Sequence, residues 1–144
     1  MDFIRFPLRQ SASEFPHLAR VSIVVERVDL AKRRWRGVAG DGREFGFDLD
    51  EPLWHGAVFH VTDSAYYCIL QQPERVLEVG FTDPTAAARL GWTIGNLHFP
   101  MEVEYGTIRV ADDVALRQLF EREHVHYREG RAVFQPMKLM VHAH

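Results

Sequence analysis

The chain has 144 residues, 47% of them hydrophobic and 26% charged, with a formal net charge of -3. That is apolar material for one ordinary domain or two small ones, and the near balance of signs gives no support to nucleic-acid binding, which normally brings a basic excess. The single cysteine, Cys68, allows no intrachain disulfide, the N-terminus lacks a signal-peptide core, and no run approaches the roughly 18–20 apolar residues of a membrane span, so a cytoplasmic protein without membrane contact is expected.

Strand patterning begins near Arg20, where Val21, Ile23 and Val25 alternate with Ser22, Val24 and Glu26, the period of a half-buried strand. Two further strand-like runs, 31–38 and 43–49, are joined through Gly40-Asp41-Gly42, and an Asp-Gly pair between such runs is a strong hairpin signal. The basic stretch 32–36 reads as the solvated face of a hairpin strand, since acidic residues sit just beyond the turn. Asp50-Glu51-Pro52 breaks the pattern. Strand candidates 57–62 and 65–71 follow, separated by Asp63-Ser64. Gln71-Gln72-Pro73 marks a boundary, so residues 1–72 are expected to form a β-rich domain and 73–144 a second one.

In the second half a β-rich run at 75–81 leads to Thr82-Asp83-Pro84, a helix start with a capping side chain and an early proline. The helix is expected to run toward Asn96. Runs 99–105 and 107–110 read as a hairpin around Gly106. Asp112 or Asp113 can cap a second helix carrying Val114, Leu116, Leu119 and Phe120 near one face, and 124–128 reads as a last strand. The order is βαββαβ, the ferredoxin-like split motif. The fold class is therefore α+β, in two small domains.

Eight histidines are many for this length. His98 stands at the end of the first long helix, in Gly95-Asn96-Leu97-His98-Phe99-Pro100. By spacing alone it could be a C-terminal helix cap favoured by the dipole. His124 and His126 form a His-x-His pair, which on a strand would share one face; a two-histidine metal site and a solvent-facing stripe are both readings of it. His142 and His144 close the chain, on a terminus expected to be mobile. His17, His55 and His60 carry no pattern that points to a ligand role.

Gly95-Asn96-Leu97-His98 followed by Pro100 resembles the Gly-Asn-Arg-His motif of the UreE family of urease accessory metallochaperones. The segment 53–59 (Leu-Trp-His-Gly-Ala-Val-Phe) resembles that family's first domain, and 73–79 the joint into its second. Phe134-Gln135-Pro136 and the final His142-Ala143-His144 resemble its approach to a histidine-bearing tail. The resemblance thus spans nearly the whole chain. It implies a homodimer that binds nickel and passes it on, with no catalysis of its own. His98 would bind the ion with its copy from the second subunit, and His142 and His144 would add ligands. The first half would resemble a chaperone peptide-binding domain, with the urease accessory GTPase and apo-urease as partners. Neutral imidazole suits nickel, but also zinc and copper. A two-fold axis doubles a single histidine without further sequence.

The sequence departs from the family in two places. Leu97 stands where the motif commonly has arginine, which removes a positive charge beside the site. Val110-Ala111-Asp112-Asp113 stands where many members carry auxiliary histidines, so one or a few ions per dimer are expected rather than bulk storage. The rivals are a metal-dependent hydrolase built on His124 and His126, and a metal-free protein-binding module. The hydrolase lacks His-Glu-x-x-His, Gly-x-Ser-x-Gly and Walker patterns.

Overall fold

Alternation in the first half and capped helices in the second are both realised in the computed structural model, which describes residues 1–138. The chain divides into two compact units, Met1–Gln72 and Pro73–His144. The first is strand-rich and the second mixes strands with helices, as an α+β fold requires.

The first unit contains β1 (Asp2–Ile4), β2 (Ala19–Val25), a one-turn α1 (Arg27–Leu30), β3 (Arg34–Val38), β4 (Glu44–Asp48), β5 (Val58–Val61) and β6 (Ala65–Gln71), with a 3₁₀ turn at Ala12–Glu14. They form two three-stranded sheets, β1-β4-β3 and β2-β6-β5. Ile4, Ile23, Phe45, Phe47, Phe59, Tyr67 and Ile69 meet in one buried cluster. The β3–β4 hairpin turns through Gly42, whose φ of 90° is the left-handed conformation that glycine adopts without penalty. The strand expected from residue 31 begins only at Arg34. Ahead of it, α1 turns to bury Leu30, and Ala31, Lys32 and Arg33 have no alternation with which to compete. The parallel pairings of β1 with β4 and of β2 with β6 have no local sequence signal.

The second unit runs β7 (Glu74–Gly80), α2 (Pro84–Asn96), β8 (Glu102–Glu104), β9 (Thr107–Ala111), α3 (Val114–Arg122) and β10 (Arg128–Ala132). Its four-stranded sheet has the order β10-β7-β9-β8 with antiparallel neighbours, the ferredoxin-like arrangement. Leu77, Val79, Ile108 and Val110 from the sheet pack with Leu90 and Ile94 of α2 and Leu116, Leu119 and Phe120 of α3. Strand side chains alternate between faces, so Val76, Glu78, Arg109, Glu102 and Glu104 lie on the face away from the helices.

The last strand departs from expectation. It begins at Arg128 rather than residue 124, because α3 closes through His124 and Val125 before the chain can extend. His124 and His126 therefore do not share a strand face. Among the described residues no helix is long and apolar enough to cross a membrane.

Candidate metal centre

The backbone around His98 is fixed from both ends of α2. At the start, the Asp83 carboxylate accepts the Thr85 N–H at 2.9 Å, with Pro84 in the first turn. At the end, the Phe99 N–H donates to the Ile94 carbonyl at 3.3 Å and the His98 N–H to the Gly95 carbonyl at 3.0 Å. This pair of bonds is the Schellman closure, which needs a left-handed residue just past the helix, usually glycine. Here that residue is His98, at φ 62°. A β-carbon in that conformation costs on the order of 1 kcal/mol. Ile94 is fully buried and Phe99 packs against the same core, so an apolar clasp holds the strained residue in place.

The imidazole itself is exposed and has no hydrogen-bond or ion-pair partner among the described residues. Two large apolar side chains precede it in the chain and are exposed, Trp92 on α2 at 72% and Leu97 at 48%. Next to α2 lies a hollow of about 440 Å³ lined by Phe81, Gly91, Trp92, Met101, Val103 and Met137 among others. The ring thus stands exposed on a backbone fixed by the helix closure.

The chain after β10 returns to the same neighbourhood. Phe134 is 0% exposed. The Gln135 N–H donates to a Glu102 carboxylate oxygen at 2.7 Å, and the Met137 N–H to the Met101 carbonyl at 2.8 Å. Residue 138 therefore leaves from beside Met101, three positions after His98. His142 and His144 lie outside the described residues.

Glu102 ends a row of alternating charge. Arg128, Glu78, Arg109 and Glu102 are cross-strand neighbours in register over all four strands. Arg109 reaches Glu78 at 3.4 Å, Glu102 at 2.5 Å and Glu104 at 3.3 Å, and Arg128 reaches Glu78 at 3.8 Å. Burial alone would depress the Arg109 pKa, but Glu102 and Glu78 outweigh it and hold the guanidinium above its ordinary value.

Three other histidines have structural roles. His124 closes α3 with the same two bonds, His124 N–H to Glu121 carbonyl at 3.3 Å and Val125 N–H to Phe120 carbonyl at 2.8 Å, at φ 56°. His55 accepts the Gln71 N–H through Nδ1 at 3.0 Å, and His60 packs against the Phe45 and Tyr67 rings. Among the described residues no three His, Cys, Asp or Glu side chains gather as a metal-holding group. Asp113 is engaged as the cap of α3, accepting the Ala115 N–H at 2.8 Å.

Residues 74–144 match the family described as UreE urease accessory protein, C-terminal domain. The urease accessory protein UreE of Geobacillus kaustophilus is 31% identical over 132 residues, covering 90% of this chain and 88% of the relative. This chain belongs to the UreE family. UreE of Nitrosococcus oceani is 30% identical over 130 residues, 89% of this chain and 77% of the relative. UreE of Beijerinckia indica is 29% identical over 125 residues, 83% of this chain and 71% of the relative. Membership makes this UreE-family chain a urease accessory protein, and the family name describes an assisting role rather than a catalyst.

Two features of the site escaped the sequence. The left-handed backbone of His98 was hidden because glycine is its usual signature. The anchoring of the approach to the tail by Glu102 was hidden because it joins residues 33 positions apart. The charges of 102 and 109 on one hairpin, opposite in register, were the available signal for the second.

Proposed function

We propose that this UreE-family chain is a cytoplasmic nickel metallochaperone for urease maturation. It works as a homodimer and hands nickel through the urease accessory GTPase to apo-urease, without catalysis of its own. Nickel is its cargo. His98 and its copy from a second subunit form the fixed part of the site, and His142 and His144 supply further imidazoles.

The observation that carries this reading is the return of the chain to an exposed histidine: the Met137 N–H bonds the Met101 carbonyl at 2.8 Å, three positions after His98, whose ring has no partner among the described residues. The left-handed closure is shared with His124 and does not by itself select His98. One exposed imidazole is a weak site, and a two-fold axis supplies a second. The exposed Trp92 of α2 and Leu97, next to His98 in the chain, are the kind of apolar side chains a second copy would cover. The strap through Met137 supports the role of the tail, since it starts the final residues within a short reach of His98. Imidazole ligands do not by themselves choose nickel over zinc or copper.

Titration calorimetry on His98→Ala, with His124→Ala as control, tests this. His98→Ala removes the tightest nickel phase and leaves the fold intact, while His124→Ala leaves the isotherm unchanged. Truncation after Val141 keeps one ion per dimer but weakens it, by about 1–2 kcal/mol for each lost ligand. An unchanged tight phase in His98→Ala refutes the assignment, and no nickel binding by the parent chain leaves the metal-free binding module.

A further inference from the structure

We propose that the outer face of the β1-β4-β3 sheet in the first unit is a docking site for an extended acidic segment of a partner protein, one that carries an apolar side chain between two carboxylates. This gives the first unit a task of its own, and it stands or falls independently of the nickel reading.

The strand register builds the face. Phe3 lies opposite Gly46, and Gly46 opposite Arg36, so the three form one row across the sheet. Asp48 and Arg34 face each other in the next row. Arg5, two positions after Phe3, continues the same side just beyond the end of β1. The intervening residues Ile4, Phe45 and Phe47 point the other way into the core, and Trp35 packs against it. The outer side stays open to solvent: Phe3 is 72% exposed, and Met1 and Val38 are exposed as well.

Gly46 shapes the floor. A β-carbon there would come within 3.0 Å of two carbons of the Phe3 ring. The glycine therefore lets that ring lie down on the sheet instead of standing off it. Glycine inside a strand costs backbone entropy, and close approach of another group is one reason it is found there. What remains above the strands is a shallow hollow of about 720 Å³, bordered among others by Phe3, Arg5, Arg34, Arg36, Gly46 and Asp48.

Charge selects the occupant. Arg34 is already paired with Asp48 at 3.0 Å. Arg5 and Arg36 are exposed and have no ion-pair or hydrogen-bond partner among the described residues. The hollow thus carries two uncompensated positive charges on a chain whose formal net charge is -3. With strands about 4.8 Å apart and alternate residues about 6.6 Å apart, the Arg5 and Arg36 backbones lie roughly 12 Å from each other, on a diagonal that crosses the Gly46 floor. In an extended segment, residues i and i+4 are about 13 Å apart and point the same way, as does i+2 between them. Carboxylates at i and i+4 match the two guanidinium groups, which take carboxylate in a planar fork. An apolar side chain at i+2 then sits on the Phe3 ring.

Amide NMR titration of the full chain, chelator-treated, with synthetic peptides tests the proposal. The probe is acetyl-Ser-Glu-Thr-Leu-Thr-Glu-Ser-amide, compared with a version carrying Lys for both Glu and a version carrying Ser for Leu. The acidic peptide gives saturable shifts at residues 3–5, 34–36 and 46–48, and its binding weakens as salt is raised. The lysine version gives none, and the serine version binds less tightly. Arg5→Gln with Arg36→Gln weakens the acidic peptide about five- to tenfold. Arg9→Gln with Arg20→Gln, which removes the same charge elsewhere in the first unit, changes it less than about twofold. Phe3→Ser weakens it about fivefold; should that variant detach β1, the arginine pairs decide. Absence of saturable shifts, shifts that map elsewhere, equal binding of the lysine version, or equal effects of the two arginine pairs each overturn the proposal. So does co-sedimentation with phosphatidylglycerol vesicles that Arg5→Gln with Arg36→Gln abolishes while the peptide does not bind, which assigns the face to a membrane surface instead.

Discussion

Replacing His98 with glycine should stabilise the protein while disabling it. The native backbone at this position has φ 62°, which costs an L-residue roughly 1–2 kcal/mol relative to glycine, at the low end for histidine, which visits this region more readily than most. Glycine recovers that strain but adds freedom to the unfolded chain, an opposing effect of about 0.5–1 kcal/mol. The imidazole has no partner among the described residues to lose, so the net gain is at most about 0.5 kcal/mol. For a unit of roughly 70 residues this raises Tm by at most about 4 °C. Alanine keeps the β-carbon and recovers nothing, so metal-free protein should melt in the order His98→Gly, then parent, then His98→Ala at or below the parent. Both variants should lose the tight nickel phase. His124→Gly, at φ 56°, should show the same thermal gain with nickel binding unchanged. Thermal melts followed by circular dichroism, in chelator-treated samples so that bound metal adds no stability, give the order. A His98→Gly protein that melts no higher than His98→Ala would refute the claim that this backbone is strained.

Further outcomes follow from other contacts. Burial, and then the Arg43 charge, lower the His60 pKa below its ordinary value, with Asp2 opposing. The unfolded chain therefore takes up a proton first, and stability is full above about pH 6.5 and declines as pH falls below it toward the lowered native value. Urea titrations at several pH values should show this slope in the parent and a flatter profile in His60→Gln; an unchanged slope would exclude His60 as its source. Asp83→Ala removes the carboxylate that accepts the Thr85 N–H and should cost the second unit about 1 kcal/mol. A denaturation midpoint within error of the parent would mean that water replaces the cap without loss.

Local signals carried most of what the sequence revealed. Alternation at 21–25, the Asp-Gly hairpin and the Asp83-Pro84 helix start each depend on a few neighbouring residues, and each is realised. β10 reads Arg-Glu-Gly-Arg-Ala, with no apolar alternation; it is a strand because β7 pairs with it, a non-local fact. The basic stretch 32–36 has the pattern of one solvated strand, yet Lys32 turns back to Asp29 at 2.8 Å and only the residues from Arg34 pair with β4. At the site, the sequence marked His98 as a residue but not as a conformation. The helix runs to Asn96 as expected and is capped by Leu97, which puts the left-handed position on the histidine.

The charged row across the second sheet also limits which sheets this chain can build. A one-residue slip of β9 against β7 would turn Arg109 toward the helices and Ile108 and Val110 away from them. A two-residue slip keeps every side chain on its proper face and would pass an apolar test. It would, however, set Arg109 opposite Val76 or Gly80 instead of Glu78, leaving a carboxylate and a guanidinium in the sheet without each other. Apolar patterning thus rejects the odd misalignments and the charges reject the even ones, so the two helix ends that carry His98 and His124 are held in one spatial arrangement.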